Sequence, residues 1–115
     1  MSTAIHVIVR YTIKDGQHDR YEAWKQGQTD AASEPGSGVL AYEFYRDETG
    51  VCVHRDSYVD EASAFEFLKN KAAIEEWLQI ADPIDTLLLG DVRDEARAGL
   101  PRTTTAYSTV QGFTR

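Results

Sequence analysis

The residues best suited to chemistry lie on one short segment, where His54, Asp56 and Tyr58 recur at every second position, the spacing that puts side chains on one face of an extended strand. An imidazole beside a carboxylate is a base tuneable near neutral pH, able to turn a weakly acidic substrate into an electron-rich anion. His6 and Arg10, on an earlier run of the same alternation, are candidates to stand beside them. A second set is aromatic and comprises Tyr11, Tyr21, Trp24, Tyr42, Phe44, Phe65, Phe67 and Trp77. These could line one apolar space, although large aromatics at helical spacing more often simply fill a small core. Tyr11 and Tyr42 favour a ligand space, because each brings a hydroxyl to an apolar face, and a phenolic or quinoid guest would satisfy it.

The elements that must position these groups follow from periodicity. Ala4 to Ile13 is rich in β-branched residues and alternates, which predicts a strand. Asp15-Gly16 is a turn, and Gln17 to about Ser33 has helical spacing, ending near Pro35-Gly36. Val39 to Asp47 and Val51 to Tyr58 alternate on either side of Asp47-Glu48-Thr49-Gly50, predicting a hairpin. Asp60 is a good N-cap for a helical segment whose apolar register slips at Asn70-Lys71, predicting a kink or two short helices. Pro83 is expected to end that segment, with a fourth strand over Ile84 to Val92 and a helical turn over Asp94 to Leu100. For the uncharged, β-prone tail an extra strand, an arm onto a partner and disorder all stay open. The expected division is a domain over residues 1–100 and a tail over 101–115.

The order β-α-β-β-α-β is the split βαβ, ferredoxin-like plan, an α+β fold with an antiparallel sheet and both helices on one face. Its other face is bare. The apolar alternations Val7-Val9-Tyr11, Leu40-Tyr42-Phe44 and Val51-Val53 are expected under the helices. The opposite face then holds His6, Ile8, Arg10, Glu43, Tyr45, Cys52, His54, Asp56 and Tyr58, too polar for a dry core and too aromatic for water. A second copy would cover it, pairing Arg10 with Glu43 or Asp56. A sheet-to-sheet homodimer is therefore expected, and the His54 cluster reads first as an interface network and only second as a catalytic base.

Composition narrows the function. The 115 residues make one domain, with 19 acidic against 12 basic residues and a formal net charge of -7. Without a basic stripe, nucleic acid and anionic membranes are disfavoured partners. The apolar run Ile5 to Val9 is short, interrupted by His6 and not preceded by a basic region, so a cytoplasmic protein is expected. Cys52 stands alone, and two histidines with one aspartate fall short of a metal ligand set. There is no glycine-rich phosphate loop, and Gly36-Ser37-Gly38 lacks the frame of a nucleophile elbow, so no cofactor is expected.

The run Ile5 to Gly16, the strand Val39-Leu40-Ala41-Tyr42-Glu43-Phe44-Tyr45-Arg46-Asp47 and the segment His54 to Phe65 together resemble the antibiotic biosynthesis monooxygenase family of dimeric α+β barrels, over about residues 4 to 91. The resemblance implies a barrel of two sheets, with a substrate pocket between sheet and helices in each subunit. It also implies oxidation of quinols or aromatic polyketides by dioxygen without a cofactor, or, in one branch, heme degradation. Tyr58 stands where many relatives close the third strand with tryptophan, and Phe65-Glu66-Phe67-Leu68 where they carry a helix-two histidine. With only His6, His18 and His54, nothing on the second helix could ligate heme iron, and that branch is disfavoured.

The leading expectation is a cofactor-free, homodimeric monooxygenase acting with dioxygen on a small quinol, phenolic or polyketide-like molecule. His54, Tyr42 and Trp77 are its expected catalytic residues, with Tyr11, Trp24, Phe44, Phe65 and Phe67 around the substrate. The alternatives are a non-catalytic ligand-binding or assembly module and an isomerase or cyclase on the same scaffold.

Overall fold

Alternating β-branched residues build the strand around which the molecule is organised, β1 (Ile5–Ile13), whose one face buries Ile5, Val7 and Tyr11. A computed structural model describes residues 3–92, 104–110 and 112. In chain order β1 is followed by α1 (His18–Ser33), β2 (Val39–Arg46), β3 (Cys52–Tyr58), α2 (Glu61–Leu68), α3 (Lys71–Ile80), β4 (Ala81–Leu89) and β5 (Thr104–Tyr107). The sheet runs β2-β3-β1-β4-β5. Its first four strands are antiparallel neighbours in the ferredoxin-like order, while β5 lies parallel to β4, so the sheet is mixed and not purely antiparallel. The Asp94 to Leu100 turn lies outside the described residues.

Local chemistry sets the helix boundaries. Asp60 caps α2 by accepting from the Ser63 amide at 2.8 Å, and Asn70 caps α3 by accepting from the Ala73 amide at 3.2 Å. The register slip at Asn70-Lys71 is thus a true break between two helices. Gly38, at φ +76°, leads into β2 with no room for a side chain, since a Cβ there would collide with Ser63 Oγ. That close approach seats α2 against the start of the strand.

Three expectations about strands need correction. Pro83 does not precede β4 but lies inside it, which begins at Ala81 and ends at Leu89. The pairing steps from Arg10↔Asp85 to Tyr11↔Pro83, and this irregularity accommodates a residue that has no amide hydrogen for the ladder. Leu40 does not join Tyr42 under the helices. The pairing jumps from Val39↔Tyr58 to Ala41↔Ser57, leaving Leu40 as the extra residue of a bulge, 48% exposed, with Val39 turned inward in its place.

The third correction matters most for function. β3 faces the opposite way from the expectation. Val7 is paired with Asp56, Val9 with His54 and Tyr11 with Cys52, and directly opposed residues of antiparallel strands share a face. Cys52, His54, Asp56 and Tyr58 therefore lie under the helices, while Val53 and Arg55 share the outer face. Hydrophobic alternation misleads at this strand because polar residues take the inward positions, Tyr58 bonding to Asp56 and His54 to the Glu43 carbonyl. On the outer face Arg10 pairs with Asp85 and Arg55 with Glu43 in the same chain, while Asp56, expected there as a partner for Arg10, lies on the opposite face.

Candidate functional site

Beneath the helices the sheet does not close into solid core. A cavity of about 310 Å³ remains, floored by Val7, Val9 and Tyr11 of β1 and walled by Trp24 and Gln28 of α1, Phe67 of α2 and Trp77 of α3. Rigid contacts keep it open. Trp24 donates its indole N–H to the Ala73 carbonyl at 3.2 Å, tying α1 to α3, and Trp77 stands edge-on to Tyr11 with centroids 5.3 Å apart. The Tyr11 and Tyr21 hydroxyls bond to each other at 2.7 Å, so Tyr11 finds its partner in the protein and does not depend on a ligand for one.

β3 supplies the polar centre of this apolar space. The His54 ring is stacked on Phe44 and meets Tyr42 edge-on, both at 4.4 Å between centroids. Its Nδ1 lies 3.1 Å from the Glu43 carbonyl, and because a carbonyl can only accept, Nδ1 carries the hydrogen. In the neutral ring Nε2 is then a bare lone pair, 3.4 Å from Asp56 Oδ1. That separation is too long for a well-formed hydrogen bond. The other carboxylate oxygen, Oδ2, accepts from the Tyr58 hydroxyl, whereas Oδ1 is buried without a hydrogen-bond partner.

Burial sets the protonation of the pair. Asp56 is 3% exposed, and loss of water pushes its pKa up to about 7 against the opposing Tyr58 hydrogen bond. The same cause lowers His54 to about 4, partly opposed by its bond to Glu43. At pH 6 Asp56 is chiefly a neutral acid and His54 a neutral base. Burial and the neighbouring Asp56 raise the pKa of Tyr58, and burial raises that of Tyr42, so both phenols keep their protons. A carboxyl poised near neutral pH with one free oxygen can take a proton from a substrate and return it.

Of the sequence-predicted residues, His54, Tyr42, Trp77, Tyr11, Trp24 and Phe67 line the cavity together. Phe44 does not line it; it lies behind His54 and packs against Tyr21 and Trp24. Phe65 is not among the lining residues either. His6 and Arg10 stand apart on the outer face, His6 bonded to Ser57 at 2.7 Å and Arg10 to Asp85. Sequence reasoning assigned Asp56 and Tyr58 to an interface and overlooked Gln28, Asn70 and Thr86, which also line the cavity. The i, i+2, i+4 spacing identified the cluster, but no sequence signal told which way β3 faces. Among the described residues no group of three or more His, Cys, Asp or Glu side chains could hold a metal ion.

Comparison with solved structures places the fold. MupZ from Pseudomonas fluorescens superposes with a TM-score of 0.80 at 19% identity, covering 100% of this chain and 91% of MupZ. A candidate antibiotic biosynthesis monooxygenase from Caulobacter crescentus gives 0.64 at 20% identity over 80% of this chain and 92% of its own. SnoaB from Streptomyces nogalater, a cofactor-independent oxygenase, gives 0.61 at 11% identity over 80% and 96%. No protein-family model matches the chain, and no curated protein matches it in sequence. The chain resembles the antibiotic biosynthesis monooxygenases and has their α+β, ferredoxin-like fold. Among the described residues no helix is long and apolar enough to cross a membrane.

The paired shifts make a specific prediction for stability. Between about pH 4 and 6.5 the unfolded chain carries the pair's one proton on histidine and the folded protein carries it on aspartate, so folding exchanges no net proton through them. The parent should therefore show little pH dependence from this pair. In Asp56→Asn the low histidine pKa stands alone, and stability should fall as pH drops from about 6.5 to 4, by roughly 2–4 kcal/mol. In His54→Gln the raised aspartate pKa stands alone, and stability should fall as pH rises from about 4 to 7. Urea unfolding across this range checks both; two variants that keep the parental profile would contradict the assignment.

Proposed function

We propose that this protein is a cofactor-independent enzyme that moves a proton on a small aromatic substrate and directs the resulting anion to dioxygen. The observation that carries the reading is Asp56 Oδ1, an unpaired carboxylate oxygen in an apolar, aromatic-lined cavity beside a neutral imidazole. The fold shared with SnoaB, a cofactor-independent oxygenase, supports the oxidative branch. Phenols, quinols and polyketide-like rings with an acidic C–H beside a carbonyl are the fitting substrate class.

In this mechanism Tyr42 and Trp77 position the ring, and ionised Asp56 takes the proton while the Tyr58 hydroxyl holds the carboxyl in place. The carbanion passes one electron to dioxygen, and the radical and superoxide join in a C–O bond. The peroxide is protonated by Asp56 and loses water with the second C–H proton. A CH2 group and dioxygen thus become a carbonyl and water, with both oxygen atoms accounted for. A second reading is favoured by one observation: a carboxyl that holds its proton up to about pH 7 is also a general acid, so isomerisation or cyclisation without oxygen fits the same pair.

We also place the protein in the cytoplasm as a homodimer whose sheets meet across the outer face, where Ile8 and Val53 lie among the in-chain ion pairs and Tyr45 is 53% exposed. Sedimentation equilibrium should return a dimer for the parent and a weakened one for Ile8→Lys. A monomeric parent would contradict this arrangement.

Metal-free protein with anthrone as substrate should consume oxygen and form the anthraquinone, and Asp56→Asn should lower kcat by about 100-fold or more. Product formed without oxygen uptake would transfer the assignment to isomerisation or cyclisation. Saturable binding with no turnover across a panel of phenols and quinols would leave a binding module.

A further inference from the structure

A second cavity, of about 550 Å³, lies beside the first. Gln28, Phe67 and Asn70 line both, so these side chains form a threshold between two chambers. The break between α2 and α3 falls at this point, α2 ending at Leu68 with Lys69 as its C-cap and Asn70 capping α3.

The two chambers differ in chemistry. The inner one is apolar and aromatic, with His54, Asp56 and Tyr58 as its polar centre. The outer one is lined by small residues, including Gly36, Ala31 and Ala62, together with Ser63, Asp60 and Glu66. Among the described residues lining it there is no lysine, arginine or histidine. Its carboxylates are only partly occupied with other work: Asp60 Oδ1 caps α2, and Glu66 pairs with the exposed Lys69 at 2.5 Å. Such a chamber offers acceptors to hydroxyl groups and no lining cation to a carboxylate or phosphate.

We propose that the substrate is bipartite, with an aromatic head in the inner cavity and an uncharged, hydroxyl-bearing chain crossing the Gln28–Phe67–Asn70 threshold into the outer one. This rests on the inner cavity being the reaction site and adds what selects the substrate there. The outer chamber gives a tailed molecule contacts that a compact phenol cannot make, and, with no cation in its lining, it gives a tail ending in an acid no partner for its charge.

Four probes test it on the full chain by calorimetry: 2-naphthol, its diethylene glycol ether, and the same ether ending in a carboxylate or in an amine. The glycol ether should bind about tenfold tighter than 2-naphthol and tighter than the acid. Ala62→Trp, at an exposed position of the outer chamber, should abolish the gain while leaving 2-naphthol binding within about twofold. Glu66→Gln should narrow the gap between the glycol and the acid. Equal affinity of the glycol ether and 2-naphthol, or a gain that survives Ala62→Trp, would overturn the bipartite substrate and leave the inner site standing. An amine-ended ether that binds tighter than the glycol would overturn the uncharged tail. Failure of every probe to bind would overturn the inner site as well.

Discussion

The contact between His54 Nδ1 and the Glu43 carbonyl fixes which ring nitrogen carries the hydrogen, while burial sets the protonation of the His54–Asp56 pair. Because the carbonyl cannot donate, the imidazole presents a lone pair and not a hydrogen to Asp56. An ionised Asp56 would then face that lone pair in a space stripped of water, with only the Tyr58 hydroxyl to stabilise it. The carboxyl responds by holding its proton to about pH 7. This depends on register, since Phe44 must lie opposite His54 on β2 for the backbone of Glu43 to come within reach of the ring.

Polar groups under the helices are a burden for so small a protein. β3 gives inward positions to His54 and Asp56 where valines would add apolar contact, and replacing a buried polar pair by well-packed hydrophobic residues is often neutral or stabilising. The cavity adds to the burden, because unfilled space beside Val9 and Trp77 forfeits dispersion contacts. What offsets both is a frame of aromatic contacts, Tyr11 with Tyr21 and Trp77 on one side and Tyr42 with Phe44 and Phe67 on the other. A space kept open at this cost in packing is room for a small guest, which a filled core would lack.

Much of the fold is legible from local rules, because those rules act locally. Asp60 and Asn70 announce helix starts through their capping side chains, and Asp47 to Gly50 announces a turn that Asp47 Oδ1 organises by accepting from the Thr49 and Val51 amides. The aromatic residues on β1, α1 and α3 fall where periodicity puts them. The direction of β3 is not local. Its two alternating sets are each half apolar, and only pairing with β1 decides between them. Leu40 and Pro83 are misplaced for the same reason, as a bulge shifts side-chain phase without marking the sequence. The same inversion moved His54 and Asp56 from an expected interface to the centre of the cavity.

Nitrogen NMR of the imidazole rings, with His54 identified by its loss in His54→Gln, tests the central claim most directly. Above about pH 5 the His54 ring should be neutral, with a pyrrole-type Nδ1 and a pyridine-type Nε2, and it should take up its second proton only near pH 4. An imidazolium signal at pH 7, or a hydrogen on Nε2 in the neutral ring, would make Asp56 an ordinary ionised partner and contradict this account of the site.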